Sequence, residues 1–282
     1  MKELPIGIID SGFGGLTVVK QCLKQLPNES VLYLGDSARA PYGPRPLAEV
    51  RKFIWQLTYF LREKGIKMLV IACNTGTAAA LYELKMTLPI PVLGVIDAGS
   101  RAAIKHTNNN HIGVIGTEGT IHSGQYTKTL LAKDARLQVY SHAVPRFVSI
   151  VEENRVEAPQ TYHQVKEDLS YFEDKDIDTL VLGCTHYPHL KDTIQKAVGP
   201  NIKLIDSGVE TINEVSTILD YFNLSRSAAD LADYGVHHQI YTTGAPERFA
   251  RFARNWLEDP YLTVKQARIK GEMIIEDTDS QL

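Results

Sequence analysis

The 282-residue sequence predicts an α/β protein of two similar halves, each an open parallel sheet, with a ligand site between them. Three observations predict this. Short apolar runs rich in Val and Ile recur without polar alternation, as strands buried on both faces of a parallel sheet do. Longer amphipathic stretches separate them, and strand–helix alternation of this kind builds βαβ units. Finally, the pattern repeats. IGIIDSG from Ile6 is answered by IGVIGTEG from Ile112, LVIACNT ending at Thr75 by LVLGCTH ending at His186, and VID ending at Asp97 by LID ending at Asp206. The spacings agree: Asp10 to Cys73 is 63 residues and Gly116 to Cys184 is 68, while Cys73 to Asp97 is 24 and Cys184 to Asp206 is 22.

In chain order the expected strands are Ile6–Asp10, Val31–Gly35, Met68–Cys73, Val92–Ile96, Ile112–Gly116, Leu137–Ser141, Thr179–Cys184, Ile202–Asp206 and Gln239–Thr242. The expected helices are Leu16–Leu26, Leu47–Lys64, Thr77–Thr87, Ser123–Lys133, Gln160–Phe172, His189–Val198, Val209–Leu224 and Pro246–Glu258. Residues 1–97 form the first domain and 98–206 the second, with 207–282 returning to the first. Asn108–Asn110 is a turn leading into the second half. The charged tail from Lys265 leaves a helix, an extra strand or a loose segment open.

Composition bounds the function. Hydrophobic residues are 44% and charged residues 22%, which is a globular balance. The net charge of 30 − 33 = −3 gives no general reason to bind nucleic acid or an anionic membrane. No apolar run approaches the roughly 18 residues of a membrane span. Asp10 interrupts the N-terminal sequence before a signal-peptide core could form, so a cytoplasmic protein is expected. Three cysteines are too few for a disulfide scaffold and read as reduced thiols.

Ligands of open α/β sheets bind beyond the carboxyl ends of the strands. Those ends carry Asp10, Ser11 and the glycines of DSGFGG, then Cys73, Asn74 and Thr75 in the first half. In the second half they carry Thr117, Gly119 and Thr120, then Cys184, Thr185 and His186. Each half thus offers a cysteine followed by two polar residues. If the halves face each other across a pseudo-twofold axis, the thiols flank one ligand. Two bases on opposite faces of a carbon can invert its stereocentre, one removing a proton and the other returning one. Thiols suit both roles, because their pKa of about 8.5 lies near working pH. Asp10 could assist Cys73, and His186 could assist Cys184. Glu152 is a further candidate assistant, since the second half has no acid equivalent to Asp10. The rigid turn Ala40-Pro41-Tyr42-Gly43-Pro44 could close over the ligand with its backbone.

The strings IGIIDSGFGGLTV (6–18), PYG (41–43), ACNT (72–75) and GCTHYPHL (183–190) resemble the cofactor-independent aspartate/glutamate racemase family. The likeness covers roughly residues 1–210. It implies interconversion of L- and D-glutamate, supply of D-glutamate for peptidoglycan, and two Rossmann-like domains related by a pseudo-twofold axis, commonly in a homodimer. It also implies no cofactor, with Cys73 serving the D-enantiomer and Cys184 the L-enantiomer. Asp10, Ser11, Tyr42, Gly43, Asn74, Thr75, Thr185 and His186 match its substrate and assisting positions. Gly76 stands where alanine is frequent and His189 where leucine is frequent; neither removes a catalytic group.

Plainer roles and rival functions also fit some of these residues. Cys22, inside an amphipathic helix, reads as an inert small hydrophobe. Asp10 could serve only as a helix cap, and Glu152 only as a solvated carboxylate. His186 and His189 have no evident third partner for a metal, so none is expected. IIDSGFGG also resembles the phosphate-binding turn of actin-like ATPases, with LIDSG (204–208) as a second copy. That reading leaves both cysteine motifs idle, and the chain has no P-loop or GxGxxG string. A racemase for aspartate or another amino acid on the same scaffold would carry the same motifs, and so would a noncatalytic amino-acid-binding module.

Overall fold

The computed structural model describes residues 1–277. The first stretch runs β1 (Ile6–Asp10), α1 (Leu16–Gln25), β2 (Val31–Gly35), α2 (Leu47–Glu63), β3 (Met68–Ile71), α3 (Asn74–Thr87), β4 (Val92–Gly94) and α4 (Val95–His106). Then come β5 (His111–Gly116), α5 (Glu118–His122), α6 (Gln125–Lys133), β6 (Gln138–Ala143), α7 (Arg146–Glu152), α8 (Thr161–Leu169), β7 (Thr179–Gly183), α9 (Lys191–Val198) and β8 (Lys203–Asp206). The chain closes with α10 (Ser207–Tyr221), α11 (Asp230–Tyr234), β9 (Gln239–Thr242), α12 (Pro246–Leu257), β10 (Val264–Lys270) and β11 (Met273–Glu276).

Two sheets result. One has the order β11-β10-β9-β2-β1-β3-β4, and the other β6-β5-β7-β8. The internal repeat is visible as topology: β2-β1-β3-β4 and β6-β5-β7-β8 are the same parallel arrangement. In each, the chain leaves the first central strand to one side and returns on the other. The crevice beyond β1 and β3, and its counterpart beyond β5 and β7, is therefore a topological switch point where ligands bind. The central strands β1, β3 and β7 are wholly buried, which explains their unbroken apolar runs. Helix α10 leads the chain back from β8 and packs on both α4 and α1.

Several expectations shift in register. Helix α3 begins at Asn74 rather than Thr77, because Cys73 caps it: its Sγ accepts a hydrogen bond from Gly76 N at 3.3 Å. Strand β4 stops at Gly94, and Val95-Ile96-Asp97 opens α4 instead. Asp97 is thus not the equivalent of Asp206, which ends β8 and caps α10 by accepting from Gly208 N and Val209 N. The helix expected over Ser123–Lys133 breaks at Gly124, whose φ of +63° is open to glycine without strain. The tail forms β10, parallel to β9, and β11, antiparallel to β10. Positions 278–282 of that tail lie outside the described residues. Among the described residues no helix is long and apolar enough to cross a membrane.

Candidate active site

The two switch points meet across a seam stitched by backbone and side chains of both halves. Gly119 N donates to Gly43 O at 2.7 Å, and Thr17 Oγ1 reaches Thr185 O at 3.2 Å. The seam encloses a cavity of about 20 Å3, room for roughly one water. Thirteen of the fourteen expected site residues line it: Ser11, Pro41, Tyr42, Gly43, Cys73, Asn74, Thr75, Thr117, Thr120, Glu152, Cys184, Thr185 and His186. Asp10 does not; it lies fully buried at the end of β1.

Cys73 follows β3 by two residues and Cys184 follows β7 by one, so equivalent central strands deliver both thiols to the same cavity. Burial pushes the Cys73 thiol up to about 12, reinforced by the Asp10 carboxylate and by Cys184 and opposed by the Gly76 N–H. Beside Cys184, His186 Nδ1 lies 3.7 Å from the sulfur, while its Nε2 meets Glu152 Oε1 at 3.0 Å. Burial works against charge on this ring, but the bonds to Cys184 and Glu152 outweigh it and hold its pKa at about 10. A chain Cys184–His186–Glu152 therefore sets a ring favoured in its charged form beside one sulfur. Glu152 is no free surface carboxylate.

Asp10 does the work of a cap behind the cavity. Its Oδ2 accepts from Gly12 N at 3.0 Å and Gly15 N at 2.9 Å, pinning the turn that leads into α1. Burial raises its carboxyl to about 6, against the pull of His186 and of the Gly12, Gly15 and Ser11 N–H groups. It lies behind the cavity without lining it, and its charge raises the Cys73 thiol. Gly14 lets this turn touch the Cys184 turn: a Cβ there would collide with Thr185 Oγ1 and stand 2.6 Å from His186 Nδ1.

Hydroxyls and amides complete the lining. Thr75, Thr117 and Thr120 form a triangle across the seam, with Oγ1 separations of 2.9, 3.0 and 3.1 Å. Tyr42 follows the cis Ala40–Pro41 peptide, and its hydroxyl donates to the buried Asp36 carboxylate. Asp36, which also accepts from Arg39 Nε at 2.7 Å and Thr243 Oγ1 at 2.6 Å, anchors the lid-like turn; sequence reasoning passed over it. An acidic residue one position past β2 was the available signal. Val148 and Gly183 also line the cavity; Gly183 opens the GCTHYPHL string, whereas no sequence feature marked Val148. His189 faces away, its ring 3.9 Å from that of Trp256. Among the described residues, no group of three or more His, Cys, Asp or Glu side chains could hold a metal ion.

A doubly switched α/β frame with a thiol from each half in one cavity defines an enzyme of the amino-acid racemase class. The chain matches the profile of the Asp/Glu/Hydantoin racemase family over residues 6–215, and it belongs to that family. It is 54% identical over 265 residues to a glutamate racemase of Carnobacterium sp. (strain St2), covering 94% of this chain and 98% of that one. The crystal structure of glutamate racemase isoform RacE1 from Bacillus anthracis superposes with a TM-score of 0.90 at 42% identity, covering 97% of this chain and 100% of that one. A glutamate racemase from Francisella tularensis solved in complex with D-glutamate gives 0.86 at 35% identity, covering 96% and 99%.

Proposed function

We propose that this enzyme interconverts L- and D-glutamate by a two-base mechanism, supplying D-glutamate for peptidoglycan. The observation that carries the mechanism is a buried thiol beyond each of two equivalent central strands, both lining one cavity. In the L-to-D direction the Cys184 thiolate takes the α-proton, the electron pair passes to the α-carbon and its carboxylate, and Cys73 gives its S–H proton to the opposite face. The D-to-L direction exchanges the roles. No cofactor is needed for these two proton transfers.

The C–H acid is very weak, so the developing negative charge needs positioned donors in a site closed to water. Ser11, Asn74, Thr75, Thr117, Thr120 and Thr185 supply hydroxyl, amide and backbone N–H groups around the cavity, and the Pro41-Tyr42-Gly43 turn roofs it. Asp10 assists at the Cys73 side. The Glu152–His186 pair assists at the Cys184 side, where imidazolium stabilises charge forming on sulfur. The substrate assignment is supported by the many relatives named for glutamate. The cavity is too small for an amino acid as it stands, so the body of residues 1–97 with 207–277 must part from 98–206 to admit one. The family likeness further supports a cytoplasmic homodimer, which light scattering tests.

Cys73→Ala and Cys184→Ala should each lower racemisation at least about a thousandfold, since each removes one of two obligatory proton carriers. The assay is deuterium wash-in at the α-carbon from D2O with loss of optical rotation, for glutamate and aspartate in parallel. Full turnover in either variant sinks the two-base mechanism. Aspartate turning over as fast as glutamate sinks the substrate assignment.

A further inference from the structure

We infer that Tyr126 is a positioning residue: it orients the Asn74 amide toward the substrate and ties the two cysteine turns to one another. This rests on the two-thiol reading of the site. Tyr126 does not line the cavity; it lies behind it, on α6 of the second half, and is only 2% exposed. Its hydroxyl donates to Asn74 Oδ1 at 2.6 Å, across the seam. Its ring packs under Gly183, where a Cβ would stand 3.1 Å from Tyr126 Cε2. Asn74 is the residue after Cys73 and Gly183 the residue before Cys184. One side chain therefore touches the neighbours of both thiols.

The chemistry of the contact sets a direction. A phenol has one proton to give, and burial keeps it on the oxygen by pushing the group's ionisation further up. That proton goes to Oδ1, so the amide nitrogen is turned away from Tyr126. Asn74 Nδ2 is buried and has no partner among the described residues. A buried donor without an acceptor is costly, and a carboxylate of a bound amino acid supplies the acceptor. With the amide flipped, its oxygen would face that carboxylate and repel it. The Tyr126 hydroxyl selects the attractive orientation, and does so only while the halves are together.

Tyr126→Phe keeps the ring under Gly183 and removes the hydroxyl. It should raise KM for L- and D-glutamate about tenfold, with a smaller fall in kcat. In an Asn74→Ala background the same substitution should leave KM where Asn74→Ala alone puts it, because residues acting through one contact are not additive. Asn74→Asp should raise KM more than Asn74→Ala, since Tyr126 then holds one carboxylate oxygen and the other faces the substrate. An unchanged KM in Tyr126→Phe, an equal added effect without Asn74, or a KM for Asn74→Asp no higher than for Asn74→Ala each overturns the inference alone. A wild-type enzyme that exchanges no α-hydrogen of glutamate overturns the functional reading and this inference together.

Discussion

His186 stands between a thiol and a carboxylate, and its charge depends on both. Its pKa of about 10 lies above the ordinary 6.5, so imidazolium persists through neutral pH. In Glu152→Gln one of the two bonds that raise it loses its charge. The alkaline limb of the L-to-D pH profile should then move toward neutral, read as kcat/KM from about pH 6 to about pH 10.5; an unmoved limb would detach Glu152 from the mechanism. Stability gives a second reading with a fixed sign. A folded-state pKa raised above its unfolded value contributes stability that is complete below pH 6.5 and fades as pH rises through about 10. Wild type should therefore exceed Glu152→Gln in urea unfolding at about pH 6, and the gap should close near about pH 10.

At the level of turns and helices, the site depends on how closely DSGFGG approaches GCTH. The glycines of the first string are not equivalent. A Cβ at Gly12 would meet Ala40 Cβ at 3.6 Å, an ordinary contact, whereas one at Gly14 would strike the Thr185 and His186 side chains. Gly12→Ala should keep activity within a few-fold, while Gly14→Ala should lose about a hundredfold in kcat/KM by displacing His186 from Cys184. Thermal unfolding of both variants separates displacement from collapse. The element most legible in the sequence was the βα unit around each cysteine, because an unbroken apolar strand followed by small polar residues has few competing interpretations. The third landmark of the repeat was less legible. VID and LID look alike, yet Asp97 sits in the first turn of α4 and Asp206 at the cap of α10. Matching strings do not report where a strand ends, since Val and Ile continue into a buried helix as readily as along a strand.

For the molecule as a whole, the two halves meet around a cavity of about 20 Å3. On the proposed function, opening precedes binding, and the bound state should hold the seam shut. The Gly119 amide, which donates across the seam to Gly43 O at 2.7 Å, is the natural reporter. Its hydrogen exchange should slow at least about tenfold at saturating D-glutamate, because exchange there requires the halves to part. Exchange unaffected by ligand would mean that substrate enters without separation of the halves.

The sequence by itself determined the two α/β halves, their duplicated order and the cysteines that the halves present, because strand burial and chain direction are written in local patterns. It also marked His186 and Ser11, which sit beside those motifs. Only the tertiary structure decided that Glu152 reaches His186, that Asp10 backs the site rather than lining it, that Asp36 anchors the Tyr42 turn, and that Tyr126 joins the two cysteine turns. Each of these is a contact between residues distant in the chain or buried behind the cavity. No local pattern encodes such a contact; it exists only once the packing of one half fixes where the other can lie.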